Sequence, residues 1–421
     1  MNNPAIIGIT PFEMPDVNLA VGLSNAKAFP VLHLGRDKIL AAATLRQLTQ
    51  KQIKEFGVCI STAALMDLSL PDQVTMVILP YGMKFTARKQ VRLFYQVYTL
   101  EEAIKAQTEG ADGIILKGNE GAGKVGYESS YVLFQRVIKA IKHTDIYVQG
   151  GMGVHTSAAL IAAGAKGVIL DSQLILFPEC SAPRPVKQIC ETLSGNEAKL
   201  IGSYRVLQRP DSPQLPAGTN DEVLETYFTD FNIGKSYLPL GQDVAFSADM
   251  LSRYKKLDRL IFGLEEAIYG HLNQAKALNV ISAGNAMAKD LNINYPIAQG
   301  PMTRVSDVAP FADAVSEAGA LPFIALSLLK GSQAKNLLLE TSNLGIQEHY
   351  DSFEVETIYS PSVAFPWRNP TTLIVSTFKG EMDFTFCSNK SFLDRAEAMA
   401  INTYAVGMLM RETKLEYAAV Y

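Results

Sequence analysis

Eight short runs rich in β-branched residues recur through the first 175 residues: Ala5–Thr10, Pro30–Gly35, Phe56–Ser61, Thr75–Pro80, Leu93–Val97, Gly113–Lys117, Ile146–Gly150 and Gly167–Asp171. Their starts lie 18 to 33 residues apart. That is room for one strand, one helix and two short loops, the repeat of a β/α unit. Runs such as Gly113-Ile114-Ile115-Leu116 and Gly167-Val168-Ile169-Leu170 are apolar at nearly every position. A strand of that kind must be covered on both faces, as in a parallel sheet. Between the runs stand helix signals: Thr99 followed by Glu101 and Glu102 opens a helix that stops at Gly110, acidic residues favouring the positive end of its dipole. Eight units favour closure, so the expected fold is an α/β (β/α)8 TIM barrel over residues 1 to about 180.

With 421 residues the chain exceeds one such barrel, and its text changes beyond Pro178. The Pro- and Gly-rich stretch from Arg209 to Gly218 reads as a loop. Helices are expected over about 240–290, with Leu257, Leu260, Ile261, Leu264 and Ile268 at helical spacing along a stretch Ala248–Ala275. The barrel opening then recurs. Ile9-Thr10-Pro11-Phe12 is echoed by Gln299-Gly300-Pro301-Met302, and Ser24–Val31 by Ser316–Phe323, with Ser, Ala, Ala and Pro in register. From about Glu348 the text is α+β: Thr371–Phe378 and Met382–Phe386 read as a hairpin, and Phe392 opens a helix. The expected organisation is a barrel at 1–205, a loop and helical region at 206–290, a truncated barrel restart at 291–346, and an α+β tail at 347–421.

A net charge of −4 does not supply the cationic field that nucleic acid demands. Cys59, Cys180, Cys190 and Cys387 are too scattered for a zinc site or a disulfide framework. No metal is expected, and a reducing cytoplasm fits. The sequence holds no apolar run long enough to span a bilayer.

Two clusters fall at the C-terminal ends of the expected strands, the face where barrels build their sites. The first is Gly118-Asn119-Glu120-Gly121-Ala122-Gly123-Lys124-Val125-Gly126. It is no Walker loop, because Val125 stands where Ser or Thr is required. The second is Gln149-Gly150-Gly151-Met152-Gly153, before a helix, with Asp171-Ser172-Gln173 closing the eighth strand. Loops after the last two strands of a barrel commonly hold phosphate on amide groups. Of the five histidines, His155 is best placed and His33 ends the second strand.

In order and spacing, Glu120–Gly126, Gly150–Met152, the Gly164-Ala165-Lys166-Gly167-Val168 strand and the restart Tyr295–Met302 resemble the nitronate monooxygenase (2-nitropropane dioxygenase) family. The arrangement is most similar to the N-terminal barrel region of multidomain polyketide or polyunsaturated fatty acid synthases. The resemblance implies an FMN-dependent oxidoreductase module of nitronate monooxygenase or enoyl reductase type, with NAD(P)H as a candidate donor. It implies Lys124 and Glu120 at the catalytic loop, with Gly121, Gly123, Gly150, Gly151, Met152, Asp171 and Ser172 around the cofactor. Partners would be a small-molecule or acyl substrate, an acyl-carrier protein or synthase subunits. Two departures stand out: Lys124 replaces the family's histidine, and Asp171 replaces a glycine beside the phosphate. They support an alternative, a catalytically degenerate barrel serving as a structural or docking module.

Overall fold

The computed structural model describes residues 5–326 except 87, 89 and 233, two later strands, and positions 328, 330, 333, 396, 399, 400, 403 and 404. Eight parallel strands close into a barrel: β1 (Ala5–Ile9), β2 (Phe29–His33), β3 (Phe56–Cys59), β4 (Val74–Pro80), β5 (Arg92–Val97), β6 (Gly113–Lys117), β8 (Asp145–Gln149) and β9 (Gly167–Leu170). The ring is completed by β9 pairing with β1, Ile7 opposite Ile169. A two-residue strand β7 (Gly123–Lys124) lies outside the ring.

Strand alternation divides the apolar residues into two sets. Ile7, Val31, Cys59, Ile78, Phe94, Ile115, Tyr147 and Ile169 fill the barrel interior. Leu32, Val58, Val77, Val97, Leu116, Val148 and Leu170 face outward into the layer shared with the helices. Each such side chain contributes about 1.5–3 kcal/mol of burial.

The helices α1 (Val17–Asn25), α2 (Lys38–Thr49), α3 (Leu100–Thr108), α4 (Ser130–Ala140) and α5 (Val154–Ala162) form much of that layer. Four begin at a side-chain cap: Asp16, Asp37, Thr99 and Ser129 each accept a backbone N–H of the first turn, typically worth about 1 kcal/mol. Two of the eight expected units depart from pattern. Among the described residues no α-helix joins β3 to β4, where only a short turn Ala63–Leu65 forms, or β4 to β5. Those runs start 19 and 18 residues apart, the two shortest spacings in the barrel.

After the barrel come α6 (Arg184–Cys190), the antiparallel pair β10 (Ala198–Ile201) and β11 (Tyr204–Leu207), then α7 (Asp221–Glu225), α8 (Ser247–Tyr254) and α9 (Leu257–Leu278). The single helix expected over Ala248–Ala275 is therefore two. Lys255 ends α8 with φ +65°, its N–H bonded to Leu251 O, a left-handed residue that stops a helix. The expected stripe holds in α9, where Leu257, Leu260, Ile261, Leu264 and Ile268 are all buried.

Residues 1–276 form one compact unit and 277–421 a second. In the second, α10 (Ala286–Asp290) precedes a parallel bridge between Ala298 and Leu321 that flanks α11 (Ala309–Glu317). The bridge is a single residue pair on either side of α11, not a pair of strands. Further on, β12 (Thr371–Phe378) and β13 (Glu381–Ser388) form an antiparallel hairpin, with Phe378 opposite Glu381. The second strand begins one residue earlier than its apolar pattern suggested. The loop expected around Trp367 and all but a few positions of the helix expected after Phe392 lie outside the described residues. No described helix is long and apolar enough to cross a membrane.

Candidate functional site

The same alternation that fills the barrel floor with apolar groups places polar ones at its mouth. One step above Val31, Phe94, Ile115, Tyr147 and Ile169 stand His33, Gln96, Lys117, Gln149 and Asp171, all buried. Gln96 Nε2 donates to Gln149 Oε1 at 2.8 Å, and Gln149 Nε2 to Asp171 Oδ2 at 2.7 Å. Above this ring opens a cavity of about 230 Å3, lined by Phe12, Glu13, Tyr98 and Lys117 among others. Phe12 and Glu13 both have positive φ, +63° and +53°. Such conformations cost side-chain-bearing residues stability and gather at functional clefts.

Glu13 is held in place by Arg36 at 2.7 Å, and Arg36 reaches Glu225 at 2.8 Å. Burial pushes the Glu13 carboxyl up, but the charges of Arg36, His33 and Lys117 outweigh it and leave it below the usual range. His33 Nδ1 accepts a hydrogen bond from Gly35 N, so Nε2 carries the proton of the neutral ring. Burial above all, aided by Arg36 and Lys117 against the pull of Glu13, lowers its pKa to about 4. Burial likewise raises the Cys59 thiol to about 12, which leaves it a thiol rather than a nucleophile.

The loop after β6 is not free-standing. Its β7 pairs with β11, Lys124 opposite Tyr204, and Arg205 donates to Asn119 O and Ala198 O. Lys124 is exposed and lines the cavity. Glu120 does not line it: Oε2 accepts Ser130 N at 3.0 Å and Oε1 faces Ser130 Oγ at 3.5 Å, at the start of α4. In this structure Glu120, expected at the catalytic loop, clasps that loop to the start of α4. Gly121 N donates to Gly118 O in a tight turn. Gly123 has φ +70°, which strains any side chain, and a Cβ there would push the Glu13 carboxylate aside.

Gly150, Gly151, Met152, Asp171 and Ser172 do come together after β8 and β9, but the amides of Gly151, Asp171 and Ser172 are engaged by side chains of the same chain. Gly151 N donates to Asp243 Oδ2 at 3.2 Å, and Ser172 N donates to Asp171 Oδ1. Gln173 Nε2 adds bonds to Asp243 Oδ2 at 3.0 Å and Met152 O at 2.9 Å, while Ser172 Oγ accepts Gly241 N at 2.9 Å. Asp243 comes from a short helical turn, Gln242–Phe246. Two carboxylates therefore occupy the amide seat that a flavin phosphate requires. The residues present do not fit that phosphate: a dianion would have to displace the Asp171 and Asp243 carboxyl groups from these amides or sit against the negative charge they carry between them. Asp171 and Ser172, expected beside the cofactor phosphate, are here bonded to each other, to Gln149 and to Gly241.

Burial, and then the neighbouring Asp171, hold the Asp243 carboxyl well above the usual carboxylate range, and its Oδ1 is buried without a hydrogen-bond partner. A carboxyl with a raised folded pKa stabilises the fold below its unfolded value near 3.8. That contribution is lost as pH rises toward the folded value. Asp243→Asn keeps the acceptor for Gly151 N and removes the ionisation. It should gain about 1–3 kcal/mol at neutral pH, with an advantage in melting temperature that grows with pH.

His155, the best-placed histidine by sequence, lies on the outside of the barrel, its Nδ1 2.8 Å from His271 Nε2 on α9. Among the described residues no cluster of three or more His, Cys, Asp or Glu could hold a metal ion. Sequence reasoning missed Lys117, Gln96, Tyr98 and Asp243. The first three were within reach as polar residues at inward positions at or just beyond strand ends; Asp243 carried no local signal.

Residues 67–201 match the family model described as nitronate monooxygenase. Over 87 residues the chain is 31% identical to a (3aS,4S,5R,7aS)-5-hydroxy-7a-methyl-1-oxo-octahydro-1H-indene-4-carboxyl-CoA dehydrogenase of Rhodococcus jostii (strain RHA1), which covers 21% of this chain and 25% of that relative. The same-named protein of Mycobacterium tuberculosis (strain ATCC 25618 / H37Rv) is 32% identical over 91 residues, 21% of this chain and 26% of its own length. The chain thus spans about a quarter of the length of these curated relatives. Among solved structures, FabK from Thermotoga maritima superposes with a TM-score of 0.55 at 17% identity, over 65% of this chain and 96% of that one. The enoyl reductase domain of MlnA, from the macrolactin cluster of Bacillus amyloliquefaciens, gives 0.51 at 10% identity, over 66% and 97%. A nitroalkane oxidase from Streptomyces ansochromogenes gives 0.50 at 18% identity, over 64% and 98%. Identities this low speak for the fold alone: the barrel has the fold seen in FabK, the MlnA enoyl reductase domain and nitroalkane oxidase, and its residues 67–201 are similar to the nitronate monooxygenase family model.

Proposed function

We propose that this barrel is an oxidoreductase-type module that no longer seats FMN, and that it serves as a ligand-binding and docking module rather than a flavin enzyme. The observation that carries the reading is the engagement of Gly151 N by Asp243 and of Ser172 N by Asp171. Helix-start amides bind phosphate when they are free. Here they are satisfied from within. Lys124 supports the same reading, because it stands where the resembling family has the histidine that exchanges a proton in flavin-coupled carbon chemistry. Its partners would be acyl-carrier proteins or synthase subunits, the setting that the sequence resemblance implies, and no electron donor is assigned to it.

The visible spectrum of the purified full chain tests this. The expected protein is colourless and stays free of bound flavin when FMN is added and excess removed. Replacing the internal anions, by Asp171→Gly with Asp243→Asn, should improve FMN affinity by at least about 100-fold, since each displaced carboxylate opposes the phosphate by a kcal/mol or more. A wild-type chain that purifies yellow would overturn the reading in favour of an FMN-dependent oxidoreductase of nitronate monooxygenase or enoyl reductase type.

A further inference from the structure

Lys117 ends β6, lines the barrel-mouth cavity and is 5% exposed. Its stem lies along Gly121, where a Cβ would stand 3.4 Å from Lys117 Cγ and Cε. Its charge acts on Glu13, His33 and Cys59, yet among the described residues its ammonium makes no hydrogen bond and closes no ion pair. An ammonium carries three N–H donors and no acceptor. Donors that find no protein partner at this depth are costly.

The charges of the mouth disfavour a ligand that brings charge of its own. Lys117, Lys124 and Arg36 stand against Glu13, Glu225 and Asp171, three cations to three carboxylates, while His33 is neutral above a pKa of about 4. An ion entering the cavity would upset that balance, and a neutral molecule leaves it intact. What Lys117 lacks is hydrogen bonds, not a counter-charge.

One reaction with a neutral molecule removes the unmade hydrogen bonds and keeps the balance. After the ammonium gives up a proton, the nitrogen lone pair adds to the carbonyl carbon of an aldehyde or ketone. A carbon–nitrogen bond forms, the carbon–oxygen bond breaks, and two of the three ammonium protons leave with the oxygen as water. The product is a protonated imine with the same single positive charge and one N–H where there were three. Only the carbonyl compound is consumed. A lysine on the surface gains nothing comparable, because water already satisfies its donors.

We propose that Lys117 captures small uncharged aldehydes or ketones as an imine in the barrel mouth, their hydrocarbon part in the space bounded by Phe12, Pro80 and Met83. This names the ligand class for the binding module described above, and it rests on that reading because the mouth must be free of flavin. A lysine amine is the side chain suited to such covalent capture. The volume, about 230 Å3, limits the ligand to a few carbons.

Butanal is the probe. The full chain is mixed with an equimolar amount near neutral pH, reduced with sodium cyanoborohydride, digested and mapped by mass spectrometry. The butyl adduct should be at least about tenfold more abundant on Lys117 than on any other lysine, Lys124 at the rim included, the factor that about one recovered hydrogen bond is worth. Without the reductant, butanal should raise the melting temperature of the wild type by linkage. Lys117→Arg keeps the charge but cannot form the imine, and its melting temperature should not respond. If that variant does not fold, the wild-type map decides alone. Adduct spread evenly over the lysines, its absence from Lys117, or an equal thermal response in Lys117→Arg would overturn the inference, and colourless protein in the same experiment would leave the flavin-free reading standing. Protein that purifies yellow would overturn both.

Discussion

Phe94→Ala is expected to destabilise the barrel by about 3–5 kcal/mol, among the largest single-residue losses in the chain. Phe94 is 1% exposed and lies inside the barrel. Its ring centroid stands 5.2 Å from that of Tyr147, and a Cβ on Gly113 would come within 2.7 Å of it. The absent side chain on β6 is what makes room for the large one on β5. Because close-packed interiors collapse only partly around a deletion, most of the void would persist. Gly113→Ala alone should also destabilise, by about 1–3 kcal/mol, through overpacking. Combined, the two changes should cost less than their sum, since the new methyl enters the space the ring left. Chemical denaturation of the two single variants and the double variant measures the coupling, and strict additivity would show that the two positions do not share that space.

Acidification should be the second large effect. In the unfolded chain His33 takes up a proton near pH 6.5, whereas in the fold it resists until about 4. Between those values the unfolded state binds more protons, so stability falls as pH drops through this window. The full effect, about 3 kcal/mol, follows from the shift at 1.36 kcal/mol per unit. Above pH 6.5 the contribution is fully present, and below about 4 it is gone. His33→Asn retains an acceptor for Gly35 N, does not titrate, and should flatten the pH dependence of the melting temperature between those limits. An unchanged slope would mean that the acid sensitivity arises elsewhere.

Two strands of the ring show why the barrel was legible in the sequence and its mouth was not. Gly113–Lys117 and Gly167–Leu170 are covered on both faces, so their composition alone marked them as parallel strands. The pleat then fixes which residues point inward, and that parity was readable too: Ile115 and Lys117 share a face. What a linear reading does not supply is closure, which turns the last inward residue of each strand into a member of one ring. Seen singly, Gln96, Lys117 and Gln149 are ordinary polar strand ends. The glycine clusters after β6 and β8 were found because glycine at positive φ is a local signal, and Gly123, Gly150 and Gly151 have φ of +70°, +100° and +71°. The partner of Gly151 was not, because Asp243 lies 92 residues away in a turn with no motif of its own. The helix break at Lys255 escaped for a different reason: the apolar stripe runs on through α9, and nothing in side-chain composition announces a left-handed lysine.

Asp243 belongs to the same polypeptide as the amides it occupies, and this changes what a competing solute faces. A free phosphate compound must win at its own concentration, whereas a tethered carboxylate stays at a local concentration of about a millimolar or more however dilute the protein. Selection could thus silence the seat without altering either glycine, merely by leaving an acid within reach. The silencing is also reversible by geometry: any event that draws residues 241–246 off the rim would uncover Gly151 N and the Ser172 hydroxyl together, and the barrel would regain an appetite for anions in the same motion.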